Sequence, residues 1–141
     1  MDQFVLFVTT HWLLVAAFLI ILILFIANEL TGYFSGVKQL ASPEVVHAIN
    51  RENAVVIDIR DVAAFKTGHI VDAINIPRET LESSKQKLEK HKDRLLIICC
   101  PTGQNSTKAA STLRAEGFTK IAILKGGLAA WRSANLPVVK K

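Results

Sequence analysis

Cys99 and Cys100 are the only two cysteines of the chain, and they stand side by side. The segment that follows, Cys100-Pro101-Thr102-Gly103-Gln104-Asn105-Ser106, has the make-up of a short loop that runs into a helix. A cysteine attacks as its thiolate, and a helix N-terminus favours that charge. A tight loop wrapped around a sulfur turns successive backbone N–H groups inward and makes an anion-binding nest. Such a nest suits a thiolate, a persulfide or a bound oxyanion alike, and Gly103 allows the backbone conformations it requires. The competing role for Cys100 is that of a small buried residue ending a strand. Its position between an apolar run and a helix start favours the reactive thiol. Cys99 should point to the opposite side of its strand and serve as core, although oxidation could trap the two in a strained adjacent disulfide. Neighbouring cysteines form neither a disulfide framework nor a zinc site, which needs spaced ligands.

A loop of this kind needs a strand before it and a helix after it. Residues 95–99 are the most apolar short run in the C-terminal part, and residues 106–116 read as a helix closed by Gly117. Residues 54–58, 73–76 and 121–124 are further short apolar runs, the mark of strands buried on both faces. Helices are predicted over 42–50, 62–66, 78–92 and 127–134. The first begins with Ser42-Pro43-Glu44: a capping hydroxyl, a proline at the first helical position and an acid in the first turn. Strands alternating with helices predict an α/β fold, a parallel sheet with helices on both faces. In such sheets the functional crevice lies beyond the C-terminal ends of the strands, where the loop after Cys99 sits.

The N-terminal part follows a different pattern. From Phe4 to Ala27 it is almost wholly apolar, interrupted only by Thr9, Thr10 and His11, and no Lys or Arg occurs before Lys38. A helix needs roughly 20 residues to cross about 30 Å of hydrocarbon. A secretory signal would open with bases and close on a small-residue cleavage site, but Asp2 stands in front and Thr31-Gly32-Tyr33-Phe34-Ser35-Gly36 behind. A buried core helix is shorter and carries a polar stripe. Residues 1–36 are therefore expected to form one N-terminal transmembrane helix in the lipid bilayer, followed by a juxtamembrane hinge from Asn28 to Gly36 with Tyr33 at the interface. Residues 37–141 are the expected catalytic domain. That domain carries all 17 Lys and Arg residues, and bases mark cytoplasmic flanks. The expected arrangement is single-pass in the inner (plasma) membrane, with the C-terminal domain in the cytoplasm and its cysteines reduced. The positive charge could also hold the domain to anionic headgroups by about 1 kcal/mol per well-placed base. A nucleic-acid partner is not expected, because Lys85, Lys87, Lys90 and Lys92 are scattered over a predicted helix with no aromatic stacking surface among them.

Residues 37–139 resemble a rhodanese domain over essentially their whole length. Asp58-Ile59-Arg60, then Ala64-Phe65-Lys66-Thr67-Gly68-His69-Ile70, then Ala73-Ile74-Asn75-Ile76-Pro77 resemble the family's first signature. Leu124-Lys125-Gly126-Gly127-Leu128 with Trp131 and Leu136-Pro137-Val138 resemble its closing one. The loop 100–106 occupies the family's active-site position. With its apolar N-terminus the chain is similar to the membrane-anchored rhodaneses of bacterial inner membranes. The resemblance implies a sulfurtransferase in which Cys100 takes a sulfane sulfur from a small donor, holds it as a persulfide on the loop amides, and passes it to a thiol acceptor. It implies no metal and no organic cofactor. The four residues between Cys100 and Asn105 match sulfur-transferring members, whereas related phosphatases of the fold use a loop one residue longer. His69 is structural in the family, and Trp131 is expected to pack the last helix on the sheet.

The sequence departs from the family pattern where a basic loop residue is replaced by Asn105, a neutral amide in place of a fixed cation. Thiosulfate is accordingly expected to be a poorer donor than a persulfide. Lys108 is a candidate for part of the missing charge, and Asp58 with Arg60 for a supporting pair near the crevice. Asp72 and Asn135 stand where glycine is common and should tolerate positive φ. Asn105 also keeps a second function open: a non-catalytic rhodanese-like module that binds another membrane protein.

Overall fold

The computed structural model describes residues 2–34 and 36–140, leaving aside the side chains of residues 2, 4–6 and 28–34. The chain divides into two compact units, residues 1–36 and 37–141.

In the first unit the expected single helix is two. α1 (Asp2–Thr10) ends at the Thr9-Thr10-His11 interruption, and α2 (Trp12–Phe34) begins after it. His11 N–H still reaches Phe7 O at 2.9 Å, and His11 O accepts from Leu14 and Val15. The turn therefore keeps its backbone bonds while the regular ladder breaks. The apolar side chains described on α2, from Trp12 to Ala27, cover about 24 Å at 1.5 Å per residue, against about 30 Å of hydrocarbon. Among the described residues no helix is long and apolar enough to cross a membrane. Helical backbone continues to Phe34, where the hinge was expected. Gly36 has φ +58°, and Ser35 and the Tyr33 side chain lie outside the described residues.

The second unit is a five-stranded, all-parallel sheet in the order β1 (Lys38–Leu40), β5 (Ile121–Leu124), β4 (Leu96–Cys99), β2 (Val55–Asp58), β3 (Ile74–Asn75). The central strands are buried at every position, as their continuous apolar runs require. Alternate residues feed two cores. Ile57, Ile98 and Ile123 pack on one face with Leu88 of α5 (Lys85–Glu89) and Ala109, Ala110 and Leu113 of α6 (Ser106–Ala115). Val56, Ile97 and Ala122 pack on the other with Val45 and Ala48 of α3 (Ser42–Arg51) and Leu128 and Trp131 of α7 (Gly127–Ser133). A short helix, α4 (Val62–Thr67), follows β2, capped by Asp61 accepting from Ala64 N–H at 2.7 Å.

The helix expected over 78–92 is instead a 3-10 turn at Arg78–Thr80 and the brief α5. Ser83 Oγ donates to Thr80 O at 3.0 Å, a local bond that competes with helix propagation. Asp72 and Asn135 adopt φ of +59° and +54°, in keeping with their side chains' tolerance of that region.

Candidate active site

Asp58 and Cys99 are paired partners at the C-terminal ends of β2 and β4, and Ile59 N–H donates to Cys99 O at 3.0 Å. Cys99 and Cys100 continue the alternation of the strand into opposite faces. Cys99 enters the core shared with Trp131, and Cys100 enters the core shared with Leu113. Both are free thiols. Burial pushes the Cys99 thiol far up, with the Asp58 charge adding to it, so Cys99 stays protonated and inert. Cys100 is 1% exposed, and it lines a cleft of about 190 Å³ with Ile59, Arg60, Arg78, Pro101 and Asn105.

Gly103 N–H donates to Cys100 Sγ at 2.9 Å, so the loop folds back over its own first residue. Gly103 does this at φ +90°, where a side chain would be strained. The loop is also held from outside. Leu128 N–H donates to Cys100 O at 2.9 Å and Ala129 N–H to Pro101 O at 3.1 Å, which seats the loop on the start of α7. At Gly127 (φ +60°) a Cβ would run into Cys100 O and stand 2.8 Å from Gly103 N. Gly126-Gly127, read in the sequence only as part of a signature, is therefore the bed of the cysteine loop.

The remaining predicted residues fall into distinct places. Pro101, Thr102, Gln104 and Asn105 are exposed along the loop. Ser106 starts α6 fully buried, and among the described residues its Oγ is a buried polar atom with no hydrogen-bond partner. Lys108 is exposed on α6 and is not among the residues that line the cleft. Asp58 and Arg60 form a buried ion pair closed at 2.6 Å between Oδ2 and Nη2, with Nε on both carboxylate oxygens. Arg60 Nη2 also donates to Gly68 O at 2.8 Å. Burial opposes the Arg60 charge, and the hydrogen bond and charge of Asp58 outweigh it, holding the guanidinium above its ordinary value. Arg60 is thus spoken for, and it ties β2 to the turn after α4. His69 is structural: its Nδ1 meets Phe65 O at 2.9 Å, its ring stacks on Phe65, and its backbone bridges to Val139. Trp131 Nε1 donates to Pro137 O at 3.0 Å and packs α7 on the sheet.

Sequence reasoning passed over Arg78. Its Nη1 reaches Asn105 Oδ1 at 3.4 Å, and both residues line the cleft above Cys100. The Ile76-Pro77 strand end carried the only local signal, because it fixes where the next side chain leaves the sheet.

Residues 42–134 match the family model for the rhodanese-like domain. The chain is 34% identical over 141 residues to the uncharacterized protein YibN of Escherichia coli strain K12, covering 99% of both chains. It is 34% identical over 101 residues to the thiosulfate sulfurtransferase GlpE of Shewanella oneidensis, covering 72% of this chain and 98% of that one. Among solved structures, a rhodanese-related protein from Thermoplasma volcanium matches with a TM-score of 0.67 at 26% identity, covering 74% of this chain and 99% of that one.

Proposed function

The chain belongs to the rhodanese-like family, and from that premise we propose that it is a sulfurtransferase with Cys100 as its nucleophile. The observation that carries this reading is the Gly103 amide donating to Cys100 Sγ at the floor of the cleft. A donated N–H steadies negative charge on sulfur, both in the thiolate before transfer and in the persulfide after it. The GlpE relative is named as a thiosulfate sulfurtransferase, which supports the same chemistry here. In the first half-reaction the thiolate attacks the outer sulfur of the donor. With thiosulfate the new S–S bond forms as the old one breaks, and sulfite leaves with the electron pair. In the second half-reaction an acceptor thiolate attacks the outer persulfide sulfur, and Cys100 leaves as thiolate. No oxidant or reductant enters. Intact-mass measurement of the full chain in a neutral detergent, after exposure to sulfane donors, tests the reading. A gain of one sulfur atom is expected in the native chain and in Cys99→Ser, and none in Cys100→Ser. A native chain that gains no sulfur from any donor would leave the family's non-catalytic reading, a module that binds another membrane protein.

We further propose that the N-terminal unit holds this domain at the inner membrane, with the C-terminal domain in the cytoplasm. Trp12, Leu13, Leu14, Phe18, Ile20, Ile21 and Phe25 are all exposed, an apolar surface that water does not favour. The flank before it has no base, and Lys38 and then Arg51 follow it, which supports the orientation. The protein is expected to stay with membranes through alkaline carbonate, and external protease should spare the C-terminal domain in sealed spheroplasts. Release by carbonate, or digestion of that domain, would defeat the proposal.

A further inference from the structure

Two guanidinium groups stand in the wall of the cysteine cleft, and they are not equivalent. Arg60 spends Nε and Nη2 on Asp58 and Gly68 O, and it is buried. Arg78 is exposed, and a single long contact of 3.4 Å joins it to Asn105 Oδ1. Its backbone is nonetheless fixed. Arg78 N–H donates to Ile59 O at 3.2 Å, and Ile76 N–H, two residues earlier, donates to Asp58 O at 2.9 Å. The guanidinium therefore swings from a rigid base, with Asn105 as a light rest. The acids nearby differ in the same way. Asp58 is neutralised by Arg60 and Asp61 caps α4, which leaves Glu79 beside Arg78 on the rim.

We infer that Arg78, steadied by Asn105, is the anion-recognising residue of this site and selects sulfane donors that carry an anionic group next to the transferable sulfur. The inference rests on the sulfurtransferase reading and names its donor class. Asn105 has a definite part in it. A carbonyl oxygen can accept from a guanidinium and release it to an anion, whereas a cation at position 105 would push Arg78 away. The cation comes from the end of β3 instead of from the loop. The planar fork of arginine suits the paired oxygens of a sulfonate or carboxylate. Asn105 and Arg78 act on the donor and take no part in moving protons.

The test compares thiosulfate, whose transferable sulfur sits next to an anionic sulfonate, with the persulfide of 2-mercaptoethanol, whose carrier portion is uncharged, using full-length chains in a neutral detergent. Arg78→Gln is expected to lower the ratio of kcat/KM for thiosulfate to that for the mercaptoethanol persulfide by about tenfold or more. Arg78→Lys should recover part of the ratio, and Glu79→Gln should raise it. Binding is read separately, by calorimetry of thiosulfate on the Cys100→Ser chain, which cannot turn over. Adding Arg78→Gln should weaken that Kd by a similar factor. An unchanged Kd and an unchanged ratio would overturn the inference. Equal losses with both donors would also overturn it, because they would make Arg78 merely structural. A chain that binds thiosulfate through Arg78 yet never gains sulfur would instead sink the sulfurtransferase reading and leave the anion site standing.

Discussion

The Leu128 amide donates to the Cys100 carbonyl oxygen at 2.9 Å, so the start of the last helix holds the loop that carries the thiol. The contact is close because Gly127, immediately before it, has no side chain. The two glycines of the closing signature thereby reach the chemistry through backbone alone.

Gly127→Ala should therefore damage both stability and site. A left-handed backbone costs roughly 1–2 kcal/mol for a residue with a Cβ, and here the added methyl also strikes Cys100 O and Gly103 N. A loss of about 2 kcal/mol or more is expected in chemical denaturation. Sulfur loading of whatever remains folded should fall further than the stability loss explains. Near-native stability with full loading would show that the loop does not depend on this seat.

Cys99 should leave a signature in alkaline solution. Its thiol is held far above the ordinary value, mainly by burial, so the folded chain keeps a proton that the unfolded chain gives up above about pH 8.5. The contribution is intact below that pH and is lost as pH rises beyond it. Between pH 8.5 and 10 the loss is roughly 2 kcal/mol at 1.36 kcal/mol per pH unit. Denaturation at pH 7 and pH 10 should show the native chain falling more steeply than Cys99→Ala by about that amount. Parallel slopes would show that Cys99 does not govern the decline. Iodoacetamide at neutral pH should label Cys100 well before Cys99.

Ser106→Ala separates stability from function. A buried hydroxyl without a partner costs about 1–3 kcal/mol, so its removal should leave the resting chain as stable as before or slightly more so. If that hydroxyl serves the loaded site, donor treatment should raise the melting temperature of the native chain more than that of Ser106→Ala. Equal shifts would show that it answers to something else.

Much of this was legible in the residues. The apolar runs at 54–58, 95–99 and 121–124 give β2, β4 and β5, because strands buried on both faces leave an unbroken signal. β1 left none: it is three residues long at the sheet edge, and only Leu40 is buried. The helix expected over 78–92 fails because the Thr80 and Ser83 hydroxyls bind the backbone locally there. At the site, Cys100 and Gly103 announce themselves as neighbours in one loop. Arg78 does not, since only the side-by-side placement of β2, β3 and β4 brings it to Asn105. His11 shows a further limit, since hydropathy over 4–27 reads as one run while the backbone divides it in two.

The pairing of β1 with β5 sets the order of assembly. Lys38 lies beside Ala122 and Leu40 beside Leu124, so the first strand of the domain has the last as its strand partner. Contacts so distant along the chain close slowly. During synthesis β1 must wait until nearly the whole domain has emerged. Its brevity and its exposed Lys38 and Gln39 suit that wait, because a short, charged edge gives a neighbouring nascent chain little to pair with. Truncation before β5 should therefore leave β1 without its partner and the sheet open at that side, however complete the cysteine loop may be.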